Sequence, residues 1–371
     1  MPTETIAIPA GTPGTEYSLT VHRFGRREAR PHVYIQAALH ADEIPGMICA
    51  QVLRRELAAL DGTGALKGQV TLVPVANPIG LAQQILGQPV GRFSLSDGGN
   101  FNRDFPDLAA LLVARMGDRL TMDEARNGEM VRETCAEALR QQARSSAPQH
   151  LKATLLQLAL EADYVLDLHC DADAALHLYT QPRSLAAFTP LAALLGARAI
   201  LLAEVSGGDP FDEALSRPWA ELAKAWPDRP LPAGCHAVTV ELRGQADVSQ
   251  DLAEADARAI LGFLRHADVL DGKKPDLPEL LCQPTRLEAS EPIIATAGGI
   301  LTYRRKAGDA VKAGEILADI IDPLTGTLTP VTTMSAGMFY ARSAETFVTP
   351  GKRLGKVAGD RLQRSGRLLS P

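Results

Sequence analysis

Basic clusters are scarce in this chain, and this scarcity excludes one large class of partner. The 38 Lys and Arg residues are outnumbered by 44 Asp and Glu residues, giving a formal net charge of −6. A surface that binds a phosphate backbone needs clustered Lys and Arg, and the sequence contains no such cluster. We therefore expect no nucleic-acid partner.

Long apolar segments and paired cysteines are also missing. No stretch approaches the ~20 uncharged apolar residues that cross a bilayer. The first residues, "MPTETIAIPAGTPG", have neither the basic start nor the hydrophobic centre of a signal peptide. The five cysteines are dispersed, which is typical of free thiols in a reducing compartment. These features predict a cytoplasmic protein with no membrane partner.

What is present is the composition of a globular protein with a sizeable core. The chain has 371 residues, of which 46% are apolar and 22% charged, so two domains are expected. Its first two thirds alternate helix-like segments with short runs rich in Val, Ile and Leu, which suit strands buried on both faces. This pattern predicts an α/β domain whose mostly parallel central sheet is flanked by helices. The predicted strands are 32–39, 69–76, 164–168, 199–205 and 237–242.

Two parts of the chain depart from this alternation. Residues 107–162 predict successive helices, which would form an excursion from the sheet. Beyond a proline-rich linker, short strand-like segments are separated by glycine residues. Residues 297–320 and 336–357 resemble each other as a weak internal repeat, which indicates a small all-β barrel or sandwich. We therefore predict a first domain over 1–285 and a β module over 286–371.

Polar residues stand at the carboxyl ends of three predicted strands, where ligands gather in open α/β sheets. They are His40, His169 and Glu241, and Glu43 follows in the stretch "LHADEIPG". Two imidazoles and a carboxylate would give zinc three ligands and leave one position for water. Glu241 would then be free to act as general base. The alternative is that the histidines only hydrogen-bond to loop backbone.

A second group of polar residues lies in "GRFSLSDGGNFNRDFP". Arg103 has a planar guanidinium group with several N–H donors, and the neighbouring Asn102 has a side-chain amide. The pair can hold a substrate carboxylate. Arg92, upstream on a glycine-rich loop, could stabilise the oxyanion of a scissile amide. The alternative is that both arginines are solvated loop residues or form weak surface ion pairs.

Five short motifs in this order carry a resemblance. The set "HADE", "ANPIG", "NFNRDFP", "LDLH" and "VTVEL" resembles the succinylglutamate desuccinylase/aspartoacylase family, zinc-dependent relatives of the carboxypeptidases. The resemblance covers nearly the whole chain, because many members also carry a C-terminal β-barrel module. It implies a zinc-carboxypeptidase-like catalytic domain over 1–285 and a β-barrel or hammerhead-like module over 286–371.

The same resemblance implies a role for each metal-site residue. His40 and Glu43 match the His-x-x-Glu zinc ligands of the family, and His169 matches the third ligand. Glu241 matches the general acid/base glutamate. One Zn²⁺ per chain is therefore expected.

Three further residues match the substrate-binding pattern of the family. Asn102 and Arg103 match the pair that holds the substrate carboxylate, and Arg92 is the best match for the arginine that polarises the scissile carbonyl. The chain departs from the family at "AALHADE", where glycines are common, and at Cys170 after the third ligand. The first departure is expected to tighten the backbone near the metal. The second indicates that the substrate class can differ from that of the named members.

The expected reaction is hydrolysis of an amide that joins a small acyl group, such as acetyl or succinyl, to an amine. The partner is then a small N-acyl amino acid or a related carboxylate-bearing metabolite, and a homo-oligomer is compatible with the sequence. A zinc carboxypeptidase acting on short peptides would use the same residues. The helical excursion and the β module could both narrow the entrance, which favours the small substrate.

Two other classes fit less well. The turn "GDAVKAGEIL" resembles a biotinyl/lipoyl carrier module, but the hairpin region "DPLTGTLTPVTTMSAG" lacks the lysine that a carrier modifies. A cysteine hydrolase could use Cys170, but adjacent residues of a strand such as His169 and Cys170 point to opposite faces. No Gly-x-Ser-x-Gly elbow or phosphate-binding glycine loop occurs.

Overall fold

The computed structural model describes residues 3–369. Within that range the α-helices are α1 (Pro45–Gly62), α2 (Pro78–Leu81), α3 (Leu108–Met116), α4 (Glu124–Gln141), α5 (Ala147–Ala159), α6 (Leu185–Leu195), α7 (Phe211–Ala225) and α8 (Gln250–His266). The first twelve strands are β1 (Thr3–Pro9), β2 (Glu16–Phe24), β3 (His32–Ala37), β4 (Gln69–Val73), β5 (Gln84–Ile85), β6 (Gln88–Pro89), β7 (Tyr164–Asp171), β8 (Asp173–Ala174), β9 (His177–Thr180), β10 (Ala199–Leu202), β11 (His236–Gly244) and β12 (Pro284–Arg286). The later strands are β13 (Ser290–Ile294), β14 (Gly299–Tyr303), β15 (Asp309–Val311), β16 (Ile316–Ile321), β17 (Leu328–Thr332), β18 (Gly337–Arg342), β19 (Phe347–Val348) and β20 (Arg353–Gly359).

Among the described residues, nine strands form a central sheet in the order β1-β2-β4-β3-β7-β11-β9-β10-β12. Strands β4, β3, β7 and β11 are parallel neighbours, and β9, β10 and β12 form a second parallel group that is antiparallel to β11. The predicted mixed α/β fold with a mostly parallel sheet is therefore confirmed. The hairpin β1–β2 was not predicted, because most residues of β1 are exposed and form no apolar run.

Helices cover both faces of this sheet, because alternate residues of its inner strands point to opposite sides. In the fully buried strand β3, Tyr34 joins the core under α3, α4, α5 and α7, whereas Val33 and Ile35 join the core under α1, α6 and α8. Residues 107–162 form α3, α4 and α5, and these helices lie on the Tyr34 face. Side chains of the inner strands that point to the Tyr34 face therefore extend into the space between the sheet and these helices.

The C-terminal part, as far as residue 369, contains two antiparallel sheets around a separate core. One has the order β13-β20-β18-β15 and the other the order β17-β16-β14-β19. Strand β8 of the first part pairs with β18, and β12 completes the central sheet just before the module begins. The boundary between residues 285 and 286 stays a prediction, because strand pairing joins the two parts.

Two ion pairs reinforce this junction. Lys356 of β20 donates to Asp171 at 2.6 Å, and Arg342 of β18 donates to Asp173 at 2.7 Å. Asp171 is the last residue of β7, the strand that carries His169, and Asp173 begins β8. The β module is therefore held at the carboxyl edge of the central sheet.

We expect Lys356→Met to lower the free energy of unfolding by roughly 2–3 kcal/mol. Breaking a fully buried pair costs about 3–5 kcal/mol, and the discount reflects partial exposure of both side chains, 22% for Lys356 and 24% for Asp171. Urea unfolding measures the change. The matched control is Lys352→Met, whose ion pair with Glu345 is half exposed, so its effect should stay below about 1 kcal/mol. Equal effects of the two substitutions would contradict a structural role for the Lys356 pair.

The state of the cysteines and the apolar character of the helices were also predicted from the sequence. All five cysteines are free, and four of them are buried. None of the helices within residues 3–369 combines the length and apolarity that crossing a bilayer requires. The outer limits predicted for the two domains, residues 1 and 371, lie outside the described residues. Residues 2 and 370 lie outside them as well.

Candidate active site

The predicted site residues meet because β3, β7 and β11 are adjacent and parallel. Their carboxyl ends lie at one edge of the sheet, and Glu241 is the register partner of His169. His40 follows β3, and Glu43 lies one turn later, just before α1. One ligand atom from each of His40, Glu43 and His169 lies within 4.8 Å of the others.

The three candidate ligands form a buried cluster around the carboxylate of Glu43. Its Oε1 lies 2.9 Å from Nδ1 of His40, and its Oε2 lies 2.8 Å from Nδ1 of His169. Burial lowers the pKa of His40 to about 4. Burial would raise the pKa of Glu43, but the two histidines outweigh it and hold that pKa well below its usual range. The cluster therefore pairs a retained negative charge with imidazole nitrogens.

The outer nitrogen of each imidazole faces an oxygen atom of a neighbouring side chain. Nε2 of His40 donates to Oδ1 of Asn100 at 2.9 Å, and Nε2 of His169 lies 3.0 Å from Oδ2 of Asp167. The other oxygen of Asp167 accepts a hydrogen bond from Gln36 at 2.9 Å. Such partners fix the ring orientation of metal-binding histidines. They leave both Nδ1 atoms directed at Glu43, and this donor set fits a divalent metal ion.

The loop that carries His40 is shaped by close backbone contacts. Ala38 has φ 59°, in the left-handed region that favours glycine, at a cost of about 1 kcal/mol. Asn77, from the motif "ANPIG", donates to the carbonyl of Leu39 at 2.9 Å. Gly91 lies so close that an added Cβ would be 2.4 Å from the backbone nitrogen of Asp42. Only glycine lets the Arg92 loop approach the ligands this closely.

Glu241 lies beside the cluster on β11. Its Oε2 is buried and accepts no hydrogen bond from any residue between positions 3 and 369. Burial and the charge of Glu43 raise the pKa of Glu241 to about 8. A carboxyl group with a pKa near neutrality can take up and release a proton during a reaction.

Arg92 reaches the cluster from the glycine-containing loop. Its Nη1 lies 3.1 Å from Nδ1 of His40 and 3.3 Å from Oε1 of Glu43. About a third of its side chain, 35%, remains exposed toward the cavity and solvent. Arg92 is therefore positioned to contact a group bound next to the candidate ligands.

Asn102 and Arg103 are buried rather than solvated, contrary to the alternative considered for the arginine. Oδ1 of Asn102 accepts from the backbone nitrogen of Phe211 at 2.9 Å, and Nδ2 lies 3.4 Å from His169. Burial lowers the pKa of Arg103 to about 10. Lys152 of α5 donates to the carbonyl oxygen of Arg103 at 2.6 Å, so the helical excursion holds this loop in place.

All seven predicted site residues line one cavity of about 290 Å³. Its wall also includes residues that the sequence did not indicate, among them Gln181, Asp212 and Glu213. The β module adds Ala341, Arg342, Ser343, Arg353, Gly355 and Lys356. Asp167 stood inside the quoted motif "LDLH" and could have been found as a partner of His169. The cavity residues contributed by the β module do not belong to any local sequence motif.

Cys170 lines the same cavity but does not fit a nucleophile. Its side chain is 3% exposed, and burial raises the pKa of its thiol far above the usual range. Reactive cysteines have lowered pKa values in electropositive surroundings. The cysteine-hydrolase alternative therefore loses its only candidate.

Comparison with known proteins finds similarity to one protein family. Residues 29–139 match the model of the succinylglutamate desuccinylase/aspartoacylase catalytic domain. A solved protein of this family from Shewanella amazonensis SB2B is 28% identical, with a TM-score of 0.85 over 96% of this chain and 98% of its own. The predicted family resemblance is therefore confirmed. A search of the curated proteins finds no match.

More distant structures share the fold. A succinylglutamate desuccinylase/aspartoacylase from Rhodobacter sphaeroides is 19% identical, with a TM-score of 0.66 over 97% of this chain and 96% of its own. The product-bound ectoine utilization protein EutE (DoeB) from Ruegeria pomeroyi is 18% identical, with a TM-score of 0.64 over 96% of this chain and 94% of its own. Both comparisons show that the architecture extends over almost the whole chain.

Proposed function

From its resemblance to the succinylglutamate desuccinylase/aspartoacylase family, we propose that this protein is a zinc-dependent amidohydrolase with a carboxypeptidase-like catalytic domain. It removes a small acyl group from the amine of an N-acyl amino acid or a related carboxylate-bearing metabolite. The observation that carries the proposal is the buried cluster of His40, Glu43 and His169, with both Nδ1 atoms directed at the carboxylate. Glu241 and Arg92 line the same cavity.

The donor set supports zinc as the metal. Two imidazole nitrogens and one carboxylate are ligands that catalytic zinc commonly uses. When bound, zinc would lower the pKa of a coordinated water and polarise the amide carbonyl. His40, Glu43 and His169 would hold the ion.

The remaining steps fall to side chains of the chain itself. Glu241 would accept the proton of the attacking water through its unpartnered Oε2 and return it to the departing amine. Arg92 would donate a hydrogen bond to the oxyanion that forms on the carbonyl oxygen. Both side chains line the cavity next to the candidate ligands.

Asn102 and Arg103 would bind the carboxylate of the substrate. A buried guanidinium binds a carboxylate more strongly than an exposed one, because less water competes for it. Arg103 is 4% exposed and lines the cavity. A substrate held there would direct its acylated amine toward Arg92 and Glu241.

The limited volume of the cavity favours a small substrate over a peptide. Its volume of about 290 Å³ is near the lower end of the range for small-ligand sites. Residues of β18 and β20 form part of its wall. A carboxypeptidase acting on short peptides remains the second candidate, because it would use the same catalytic residues.

Asp167→Asn is expected to weaken zinc binding by roughly 10- to 100-fold, the usual effect of removing an outer partner of a metal ligand. The amide keeps an oxygen for Gln36 but loses the charge that faces Nε2 of His169. Competition with a fluorescent zinc chelator measures the affinity. Asp276→Asn, at an exposed position, is the control and should bind zinc like the wild type. Unchanged affinity in Asp167→Asn would contradict ligation by His169.

The proposed reaction is tested by amine release from a substrate panel, with and without a zinc chelator. The panel contains N-acetyl, N-formyl and N-succinyl amino acids and short peptides. Chelator-sensitive release from an acyl amino acid supports the deacylase. Cleavage of peptides alone would support the carboxypeptidase instead of the deacylase. Activity that persists without metal would contradict zinc dependence.

A further inference from the structure

The cavity extends across the central sheet beyond Glu241. Thr239 of β11, Tyr179 of β9 and Leu201 of β10 are register partners in adjacent strands, and all three line the cavity. Thr239 lies two residues before Glu241, so both side chains point to the same face of the sheet. The cavity therefore reaches from the candidate base on β11 as far as β10.

The end of the cavity at β10 is mainly apolar. Leu201 of β10, Ala203 just after it and Leu287 between β12 and β13 belong to one apolar cluster, and all three line the cavity. Leu369 packs against the same cluster and also lines the cavity. Aliphatic side chains offer no hydrogen bond, so this end of the cavity favours an alkyl group of a ligand.

Leu369 belongs to a segment without helix or strand that follows β20 and runs to the loop before α7. We call residues 360–369 the strap. Leu368 is 4% exposed and lies in the same apolar cluster as Leu201. Its backbone nitrogen donates to the carbonyl oxygen of Ser206 at 2.7 Å. This contact places the next residue, Leu369, at the cavity.

Further backbone contacts hold the strap in position. The backbone nitrogens of Gln363 and Arg364 donate to the carbonyl oxygen of Glu288, at 2.9 and 3.1 Å. Gly207 has φ 78°, and a Cβ added to it would lie 3.0 Å from Cα of Arg367. Both the positive φ and the close approach favour glycine at this position. The strap is therefore in direct contact with the loop before α7.

The space around Leu369 continues beyond the main cavity. A second cavity of about 20 Å³ shares Leu287 and Leu369 with the larger one. Arg353 and Lys356 also border both cavities, and Lys356 is already paired with Asp171. Because Leu369 borders both spaces, a shorter side chain at this position would extend the main cavity toward the smaller one.

We propose that Leu369 is a specificity-determining residue, which limits the length of the alkyl group that a substrate can place at the β10 end of the cavity. This group is the acyl chain or the side chain of the amino acid, since both present the same chemistry to Leu201 and Leu287. The inference rests on the proposed deacylase function. It adds a limit on length that is imposed by the strap and not by the metal site.

Two series of substrates test this limit. One lengthens the acyl chain of N-acylalanine from acetyl through butyryl to hexanoyl. The other lengthens the side chain of N-acetyl amino acids from alanine through norvaline to 2-aminooctanoate. We expect the kcat/KM of the wild type to fall with length in one series, and Leu369→Ala to raise the value for its longest member roughly 10-fold or more, because one methylene in an apolar pocket changes kcat/KM by about 10- to 200-fold. The series that responds identifies the group at the strap.

A larger side chain should have the opposite effect. Leu369→Phe is expected to lower kcat/KM for the longer members more than for the shortest one, and this reversal distinguishes a wall residue from a general loss of stability. It also serves as the second variant should Leu369→Ala not fold. Leu362→Ala, at a position of the strap that is 63% exposed, is the matched control and should keep the length dependence of the wild type. Unchanged length dependence in both Leu369 variants would overturn the proposal and leave the deacylase function intact.

Binding of the expected products separates this proposal from the proposed reaction. Calorimetry on the zinc-loaded protein compares acetate, butyrate and hexanoate, and then alanine, norvaline and 2-aminooctanoate, none of which contains an amide. We expect the longest member of one set to bind roughly 10-fold more tightly to Leu369→Ala than to the wild type or to Leu362→Ala. This result supports the limit set by the strap even if no acyl amino acid is cleaved. Cleavage of acyl amino acids together with the same length dependence of binding in the wild type and in Leu369→Ala would overturn it.

Discussion

Glu241→Gln is expected to reduce kcat by roughly 100- to 10,000-fold while the protein keeps its zinc, because a positioned general base contributes about this much. The amide has the size of the carboxylate but cannot take up the proton of the attacking water. Burial and the charge of Glu43 raise the pKa of Glu241 to about 8, so the carboxylate form that accepts the proton increases as the pH rises through this value. Turnover of the best acyl amino acid and zinc content per chain are measured on the same preparation.

The zinc content decides how this result is interpreted. His40, Glu43 and His169 form the candidate ligand set without Glu241, so metal binding should survive the substitution. Glu254→Gln, at an exposed position of α8, controls for the loss of a carboxylate elsewhere and should keep full activity. Equal losses of zinc and turnover in Glu241→Gln would place Glu241 among the ligands and contradict its role as base.

His169→Ala should abolish tight zinc binding and lower turnover to the level of the metal-free protein. It removes one of three candidate ligands, so the loss of affinity should exceed the roughly 10- to 100-fold expected for an outer partner such as Asp167. It also leaves Oε2 of Glu43 without its 2.8 Å contact to an imidazole. Removing one partner of a buried charge pair costs about 3–5 kcal/mol, so the metal-free variant should also unfold more easily.

Zinc titration and thermal unfolding without metal measure the two effects. His150→Ala, at a partly exposed position on α5, is the control and should leave both quantities unchanged. A His169→Ala protein that binds zinc with wild-type affinity would remove His169 from the ligand set. Loss of zinc without loss of activity would contradict zinc as the cofactor of the reaction.

Local sequence was sufficient for the inner strands and the candidate ligands. β3, β4, β7 and β11 each contain a short run rich in Val, Ile and Leu because both of their faces are largely buried, and such runs stand out in a sequence. His40 and His169 follow or end such runs, and parallel strands bring their carboxyl ends to one edge. The alternating strand β2 and the short strand β9 were missed, because neither forms a long apolar run.

The remainder of the site was decided by tertiary structure. Lys356 and Asp171 are 185 positions apart and meet only because β20 packs at the edge of the central sheet. Gln181 and Glu213 border the same cavity, although they belong to different elements and share no motif. Local patterns record which residues are buried, because burial follows the period of a strand or helix. Which distant side chains face one cavity depends on how the elements pack, and no local pattern contains that information.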